Sequence, residues 1–343
     1  MGDPIAEAAA LESVLRQMGD VAVAVSGGVD SLTLAAFAHR MLPGGVTMFH
    51  AVSPAVPPTF RDPALEARFR ELGWVLVDLI SDDDVAELLA TCRRHHPSPV
   101  TTWDSDFFSS SPQVKAEVRQ AITTAFRAGI ERVLTDHQAI MTNFVVNWPG
   151  PDGGLPLHHH SSLVDERHHR SVVIWCAVDD AVEDNGTLHV VERSHRVPLG
   201  PWSEGRPDWF ADRREELVDR HLTGVTVRAG QALIFDNALL HCSFPNQTVA
   251  PRRTAVAVAT PRSAPIRYYQ WVPDGRTRAY ALDPEFFLGT VSAGLAWAEP
   301  EGLELVGEEP AQGTVLAPEE IDALLRSGTC RHQQTAIAGT SHP

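Results

Sequence analysis

Pro156-Leu157-His158-His159-His160-Ser161-Ser162-Leu163-Val164-Asp165-Glu166 is the stretch around which the rest of the chain is organised. It follows a turn rich in proline and glycine, residues 148–154, and precedes an apolar run, residues 171–178, that is typical of a buried strand. Because side chains alternate between the two faces of a strand, His158 and His160 are expected to point to the same side. Two imidazoles on one face can bind one metal ion, so the stretch predicts a metal site. A polar surface loop is the alternative interpretation.

The composition narrows the class of protein. A length of 343 residues suggests two domains, or one large domain with an appendage. The net charge of −16 argues against nucleic acid or an anionic membrane surface as the main partner. Four cysteines without a CxxC pair favour reduced thiols over a disulfide framework. With neither a signal-peptide pattern nor an apolar run long enough to span a bilayer, we expect a cytoplasmic protein without a membrane partner.

A glycine-rich loop lies near the start of the chain. The apolar run 21–25 predicts a buried strand, and residues 32–41 predict a helix. Between them lies the segment Ser26-Gly27-Gly28-Val29-Asp30-Ser31. A strand, a glycine-rich turn and a helix N-terminus together direct backbone N–H groups at a phosphate.

This loop resembles the SGGxDS motif of the PP-loop ATP pyrophosphatases, and residues 48–57 resemble the sulfur-transferase branch that makes the nickel-pincer cofactor. The resemblance implies ATP binding by Ser26, Gly27, Gly28, Asp30 and Ser31. A helix at 63–72 and a strand at 74–80 are predicted to continue the βαβ pattern. Residues 1–90 are nevertheless too short for a complete domain of that class, and no cysteine matches the sulfur-donating segment. A vestigial site is therefore the alternative to a working one.

The rest of the chain changes character. Residues 92–106 are interpreted as a linker. A helix is predicted at 112–128, because Val114, Val118, Ile122 and Phe126 recur every fourth residue, with Gly129 as its cap. Short strands are predicted at 142–147, 171–178, 186–191, 225–228, 231–236 and 254–259. This succession is typical of an all-β barrel or sandwich. Residues 201–222 predict a helical insertion, and residues 329–343 a disordered tail.

Four segments between residues 103 and 287 resemble the phytanoyl-CoA dioxygenase family of Fe(II)/2-oxoglutarate oxygenases. They are residues 156–166, 171–175, 184–196 and 230–252, in the family's order and spacing. The resemblance implies a double-stranded β-helix, a jelly-roll or cupin-like fold. The expected architecture is α+β overall: a partial α/β PP-loop-like segment at 1–90, an oxygenase domain at 91–290 and a C-terminal extension at 291–343.

The resemblance also implies a ligand set. The family holds iron with a His-x-Asp pair and a distal histidine, which leaves open positions for 2-oxoglutarate and O₂. His158 and His241 match the two histidines, whereas His160 stands in place of the aspartate. Three neutral imidazoles suit Fe(II), and also Zn, Cu and Ni. Asp165 and Glu166 are alternative ligands.

Further positions correspond to the family's 2-oxoglutarate site. Arg252 stands where the family places the arginine that grips the co-substrate carboxylate, with Arg253 as an adjacent candidate. Ser243 could share the same carboxylate, and Trp175 stands where the family has an aromatic residue near the co-substrate. A core tryptophan is the alternative for Trp175. Asn147 replaces a lysine that relatives often carry.

The main hypothesis is therefore an Fe(II) oxygenase that uses 2-oxoglutarate and O₂ to oxidise a small organic substrate, and natural products are among the candidate substrates. Three alternatives stay open: ATP-dependent adenylyl or sulfur transfer at Ser26–Ser31, a three-histidine dioxygenase without 2-oxoglutarate, and a non-catalytic metal-binding module. A homo-oligomer is compatible with each of them.

Overall fold

The computed structural model describes residues 4–25, 29–50, 56–197, 200–203, 206–288, 302–311 and 318–326. The chain divides into two compact units, Met1–Ala55 and Val56–Pro343. No helix in these described ranges is both long and apolar enough to cross a bilayer. The predicted tail 329–343 lies outside the described residues.

The N-terminal unit is a strand–helix–strand arrangement preceded by a helix. Its elements are α1 (Pro4–Met18), β1 (Val21–Val25), α2 (Val29–Met41) and β2 (Val46–His50), and β1 pairs in parallel with β2. Leu15, Val23, Ala35 and Ala38 form its apolar core. Of the predicted phosphate loop, Ser26, Gly27 and Gly28 lie outside the described residues, as do the side chains of Asp30 and Ser31. ATP binding by this loop stays a prediction.

The second unit is built from antiparallel sheets and helices. Its helices are α3 (Pro63–Leu72), α4 (Asp82–His95), α5 (Pro112–Val133), α6 (Arg214–His221) and α7 (Pro318–Arg326). Its strands are β3 (Trp74–Asp78), β4 (Trp103–Ser105), β5 (His137–Asn147), β6 (Leu155–His158), β7 (Val172–Ala177), β8 (Leu188–Val191), β9 (Leu222–Gly224), β10 (Gln231–Asp236), β11 (His241–Ser243), β12 (Arg252–Pro261), β13 (Arg267–Val272), β14 (Arg276–Ala281) and β15 (Leu305–Pro310).

Two sheets form the barrel. The larger has the order β3-β10-β7-β12-β5-β4 and the smaller the order β6-β11-β8-β9. Apolar side chains from both sheets, among them Trp175, Phe235 and Leu188, pack into one cluster between them. This is the double-stranded β-helix, or jelly roll, expected from the sequence, within a chain of mixed helix and sheet.

Helices cover the outer face of the larger sheet. In β7, Val173 and Trp175 face the barrel interior, while Ile174 and Cys176 join the outer cluster that contains Ile122 of α5. Both faces of this strand are buried, which explains why its sequence is a continuous apolar run rather than an alternating one.

The strand β3 corrects one sequence prediction. It was expected to continue the N-terminal βαβ pattern, but it pairs antiparallel with β10 at the edge of the larger sheet. Val75 is fully buried in the outer cluster, and Trp74 packs in the barrel interior. The compact units therefore divide after Ala55 rather than near residue 90. A short apolar run shows that a strand forms, but not which sheet it joins.

Other elements also differ from prediction. The predicted linker 92–106 contains the end of α4 and the strand β4, and residues 225–228 contribute only an isolated bridge, Ala181↔Val227. The sheet of β13, β14 and β15 was not predicted. The strands of this sheet lack a clear period-two pattern, so their pairing depends on tertiary contacts.

Gly129 was predicted to cap α5, but the helix continues past it to Val133. A Cβ built on Gly129 would lie 2.4 Å from the backbone oxygen of Leu79. Glycine is therefore present because α5 approaches the chain after β3 too closely for any side chain.

Alanine at position 129 is consequently expected to destabilise the protein. In an exposed helix interior, Gly→Ala stabilises by about 1 kcal/mol. Here the backbone contact cannot give way as a side chain could, so the free energy of unfolding of Gly129→Ala should fall. Chemical denaturation of the variant against wild type measures the change, and a more stable variant would contradict the close-packing explanation.

A buried histidine links α4 to the start of the barrel. His96, just after α4, lies with Nδ1 3.2 Å from Asp104 Oδ2 and Nε2 3.4 Å from Asp106 Oδ1. Burial alone lowers the pKa of His96, but the hydrogen bonds with Asp106 and Asp104 outweigh it and raise the pKa above its usual value.

A pH dependence follows from His96. Since the folded protein holds this proton more tightly than the unfolded chain, the stabilisation is complete below the unfolded pKa of about 6.5 and is lost as pH rises through the folded pKa. The difference in unfolding free energy between wild type and His96→Gln should be largest at acid pH and shrink on raising the pH. Denaturation at a series of pH values tests this, and a difference that grows with pH would contradict it.

Candidate metal centre

Two of the predicted metal ligands are held opposite each other by strand pairing. β6 ends at His158, β11 begins at His241, and the two residues are direct partners in the antiparallel register. Directly opposed residues of an antiparallel pair project to the same face with close side chains. The two imidazole rings accordingly lie with their centroids 4.2 Å apart.

The third residue reaches the site by a different route than predicted. His160 lies beyond the end of β6, so strand alternation does not place it. Its backbone N–H donates to the carbonyl of Asn237 at 2.8 Å, which ties this segment to the loop between β10 and β11. Its ring centroid lies 5.5 Å from that of His158 and 4.9 Å from that of His241. His159 turns away and packs against Trp202.

His158, His160 and His241 each offer one ring nitrogen, and these three nitrogens lie within 4.8 Å of one another. The Nδ1 atoms of His158 and His241 are 2.7 and 2.8 Å from the carbonyls of Pro156 and Leu239. Because a carbonyl only accepts, Nδ1–H is the donor in both, and Nε2 keeps its lone pair. A backbone carbonyl that fixes the tautomer in this way is typical of metal-binding histidines.

The electrostatics of the cluster also suit a metal. Burial, with the proximity of the other histidines, lowers the pKa of His160 to about 3 and that of His241 well below its usual value. Burial likewise lowers the pKa of His158. All three rings are therefore neutral near pH 7 and can take up a metal without releasing a proton.

No carboxylate of the described residues belongs to this cluster. Asp165, one of the alternative ligands, is engaged by Arg167, with Oδ1 2.7 Å from its Nε. Glu166 lines a neighbouring cavity instead. The donor set is three neutral imidazoles, so a divalent ion bound here would keep its full charge.

Arg252 is a buried cation without a carboxylate partner among the described residues. Its side chain is 1% exposed, donates to Thr254 Oγ1 at 3.1 Å and to the carbonyl of Gly186 at 3.0 Å, and leaves Nε without a partner. Its guanidinium lies 5.1 Å from the ring of Trp175. Burial lowers the pKa of Arg252 to about 10.

The other residues predicted for co-substrate binding have different environments. Arg253 is paired with Asp179 at 2.9 Å. Ser243 accepts a hydrogen bond from the backbone N–H of Leu155 at 3.1 Å. Asn147 donates to the carbonyl of Phe244 at 3.1 Å, while its Oδ1 has no partner. Trp175 packs in the interior cluster with Phe235, whose ring lies 4.7 Å from that of His241.

A cavity of about 270 Å³ opens beside His160. Sequence reasoning did not find Arg170, which lines the cavity, or Asp236, with which Arg170 forms an ion pair of 2.9 Å. Asp236 is 1% exposed and ends the apolar strand β10. The sequence feature that could have indicated Asp236 is a carboxylate at the end of a continuous apolar run.

The jelly roll and its histidine cluster are the arrangement of a barrel protein that could hold a metal ion. The profile of the phytanoyl-CoA dioxygenase (PhyH) family matches residues 69–254, more than half of the chain. The chain belongs to the phytanoyl-CoA dioxygenase family and is an Fe(II)-dependent dioxygenase.

Several characterised proteins are similar to it. A methylphosphonate hydroxylase from Gimesia maris is 26% identical over 216 residues, which cover 57% of this chain and 79% of that protein. HygX from Streptomyces hygroscopicus, solved with nickel and 2-oxoglutarate bound, is 18% identical with a TM-score of 0.44, over 59% of this chain and 88% of HygX. SnoK, a carbocyclase from nogalamycin biosynthesis, is 15% identical with a TM-score of 0.46, over 74% of this chain and 94% of SnoK.

Proposed function

We propose that this protein is a 2-oxoglutarate-dependent oxygenase that holds Fe(II) with His158, His160 and His241 and oxidises a small organic substrate. The observation that carries the proposal is the meeting of three neutral imidazole nitrogens within 4.8 Å inside the barrel of this family. Three protein ligands on one side of a metal leave positions for a co-substrate and O₂.

The residues present fit the iron and its co-substrate. Iron supplies the activation of O₂ when it is bound, and the chain supplies its ligands and surroundings. The carbonyls of Pro156 and Leu239 orient His158 and His241, and the apolar ring of Phe235 lies against His241 and restricts water near the cluster. A neutral donor set leaves a divalent ion with its full charge, which favours an anionic co-ligand, and 2-oxoglutarate is such an anion.

Arg252 supports 2-oxoglutarate as that anion. A buried guanidinium without a carboxylate partner costs folding free energy, which a bound carboxylate would recover through charge-assisted hydrogen bonds. Arg253 lacks this property because Asp179 already neutralises it. Arg252 also favours this function over a three-histidine dioxygenase without 2-oxoglutarate, since such an enzyme would have no use for the buried cation.

Anaerobic calorimetry followed by aerobic turnover tests the proposal. We expect one Fe(II) per chain, 2-oxoglutarate binding to the iron-loaded protein, and succinate formation once O₂ is admitted. Similarity to a hydroxylase of methylphosphonate supports a small organic substrate, and a panel of such compounds is the starting point for turnover. Iron binding without 2-oxoglutarate binding would refute the co-substrate, and failure to bind iron would refute the centre.

His160→Asp tests the third ligand. We expect a folded variant that still binds Fe(II), because a carboxylate suits iron and partly neutralises it. If His160 is replaceable, the variant keeps or gains succinate formation; if the reaction requires a neutral ligand set, the variant binds iron but forms no product. His160→Ala is the control that opens a position without adding charge. Equal iron binding and equal product formation by all three proteins would show that His160 is not a ligand.

A further inference from the structure

The cavity beside His160 contains a carboxylate that forms no ion pair with any described residue. Glu166 lines the cavity together with His160, Arg170 and Trp202. Among the described residues, no nitrogen of an arginine, lysine or histidine lies within ion-pair distance of the Glu166 carboxylate.

The two arginines of the cavity wall are already engaged. Arg167 binds Asp165 through Nε at 2.7 Å and Glu309 through Nη1 at 2.9 Å. Arg170 is paired with the buried Asp236 at 2.9 Å. Both arginines are therefore paired with carboxylates outside the cavity lining, and Glu166 is the charged side chain of the lining without an ion pair of its own.

The pKa of Glu166 reflects the lack of an ion-pair partner. Burial, and then the nearby charge of Asp236, raise the pKa of Glu166 to about 7, while Arg170 lowers it only in part. A carboxylate in such surroundings is stabilised by a cation that enters the cavity. The net charge of −16 on the whole chain favours the approach of cations over anions.

We propose that the substrate carries an ammonium group, and that Glu166 binds this group in the cavity beside His160. This inference rests on the proposed function for the oxidation itself. It assigns Glu166 as the residue that selects an amine over a neutral or anionic compound of the same shape. A volume of about 270 Å³ accommodates a compound of one or two small rings.

Calorimetry with three compounds of one shape tests the selection: cyclohexylamine, cyclohexanol and cyclohexanecarboxylate. Each is titrated into the iron- and 2-oxoglutarate-loaded protein under anaerobic conditions, and into the metal-free protein. We expect the amine to bind about tenfold or more tightly than the alcohol, as suits a charge-assisted hydrogen bond. Glu166→Gln should reduce this preference to less than about threefold without changing the affinity for iron.

Two further variants complete the experiment. Glu309→Gln removes a carboxylate that is paired with Arg167 but does not line the cavity, so this variant should keep the amine preference. Glu166→Asp keeps the charge on a shorter side chain, so it should show a weaker preference for the amine. This variant replaces Glu166→Gln in the comparison if Glu166→Gln does not fold.

The proposal is overturned if the amine and the alcohol bind equally, if no amine binding is measurable, or if Glu166→Gln retains the full preference. Tighter binding of cyclohexanecarboxylate or of methylphosphonate would assign the cavity to Arg170 and an anionic substrate instead. Because the metal-free protein is titrated as well, loss of iron or 2-oxoglutarate binding contradicts the proposed function without deciding the amine preference.

Discussion

His241→Ala is expected to weaken Fe(II) binding more than about 100-fold, and with it to abolish product formation. Loss of a group that merely orients a metal ligand typically costs 10–100-fold in affinity, and loss of the ligand itself costs more. His241 is also the proposed ligand that strand pairing sets directly opposite His158, and its removal leaves His158 and His160 as the remaining donors.

Anaerobic iron titration and metal analysis after dialysis measure this effect. His168→Ala is the matched control, because His168 is an exposed histidine of the same half of the chain and does not belong to the cluster. Circular dichroism should show both variants folded. Tight, stoichiometric iron binding by folded His241→Ala would refute the proposal that His158, His160 and His241 bind the iron.

Arg252→Gln is expected to raise the dissociation constant of 2-oxoglutarate by about 10- to 100-fold, which corresponds to a lost charge-assisted hydrogen bond of about 1.5–3 kcal/mol. Iron affinity should be unchanged. Since the variant removes a buried cation that has no carboxylate partner, its melting temperature should not fall, in contrast to most buried substitutions.

The neighbouring arginine provides the control for this experiment. Arg253→Gln breaks an ion pair with Asp179 and should lower thermal stability while leaving 2-oxoglutarate affinity as in wild type. We therefore expect opposite results: Arg252→Gln loses 2-oxoglutarate affinity but not stability, and Arg253→Gln loses stability but not 2-oxoglutarate affinity. If Arg253→Gln loses 2-oxoglutarate affinity and Arg252→Gln does not, the co-substrate arginine has been assigned to the wrong residue.

The sequence predicted much of the barrel for physical reasons that apply to particular strands. The run 171–178 and the run 231–236 are buried on both faces, and their continuous apolar character predicted β7 and β10 to within two residues. By contrast, β3 was predicted as a strand but assigned to the wrong sheet, because a run of five residues does not specify its partner.

The candidate site was likewise predicted only in part, because some of its residues are brought together by tertiary contacts that the local sequence does not specify. His158 and His241 follow from the resemblance, and their convergence is now seen as a cross-strand pair. The position of His160 depends on a backbone hydrogen bond to Asn237, which no local pattern predicts. The cavity was not predicted either, since Glu166, Arg170 and Asp236 meet only when β10 and the segment before β7 come together.

The opposition of His158 and His241 has a thermodynamic consequence for the smaller sheet. β6 and β11 are far apart in the chain, so bringing them together costs conformational entropy. β11 has only three residues, and its few hydrogen bonds offset little of that cost. An ion bound between the two strands acts as a cross-link that only the native register can form. By linkage, each tenfold rise in free iron above its dissociation constant adds about 1.4 kcal/mol to the stability of the folded state. Iron bound at this site would therefore keep the smaller sheet closed, and the melting temperature of the protein should rise with the concentration of free iron.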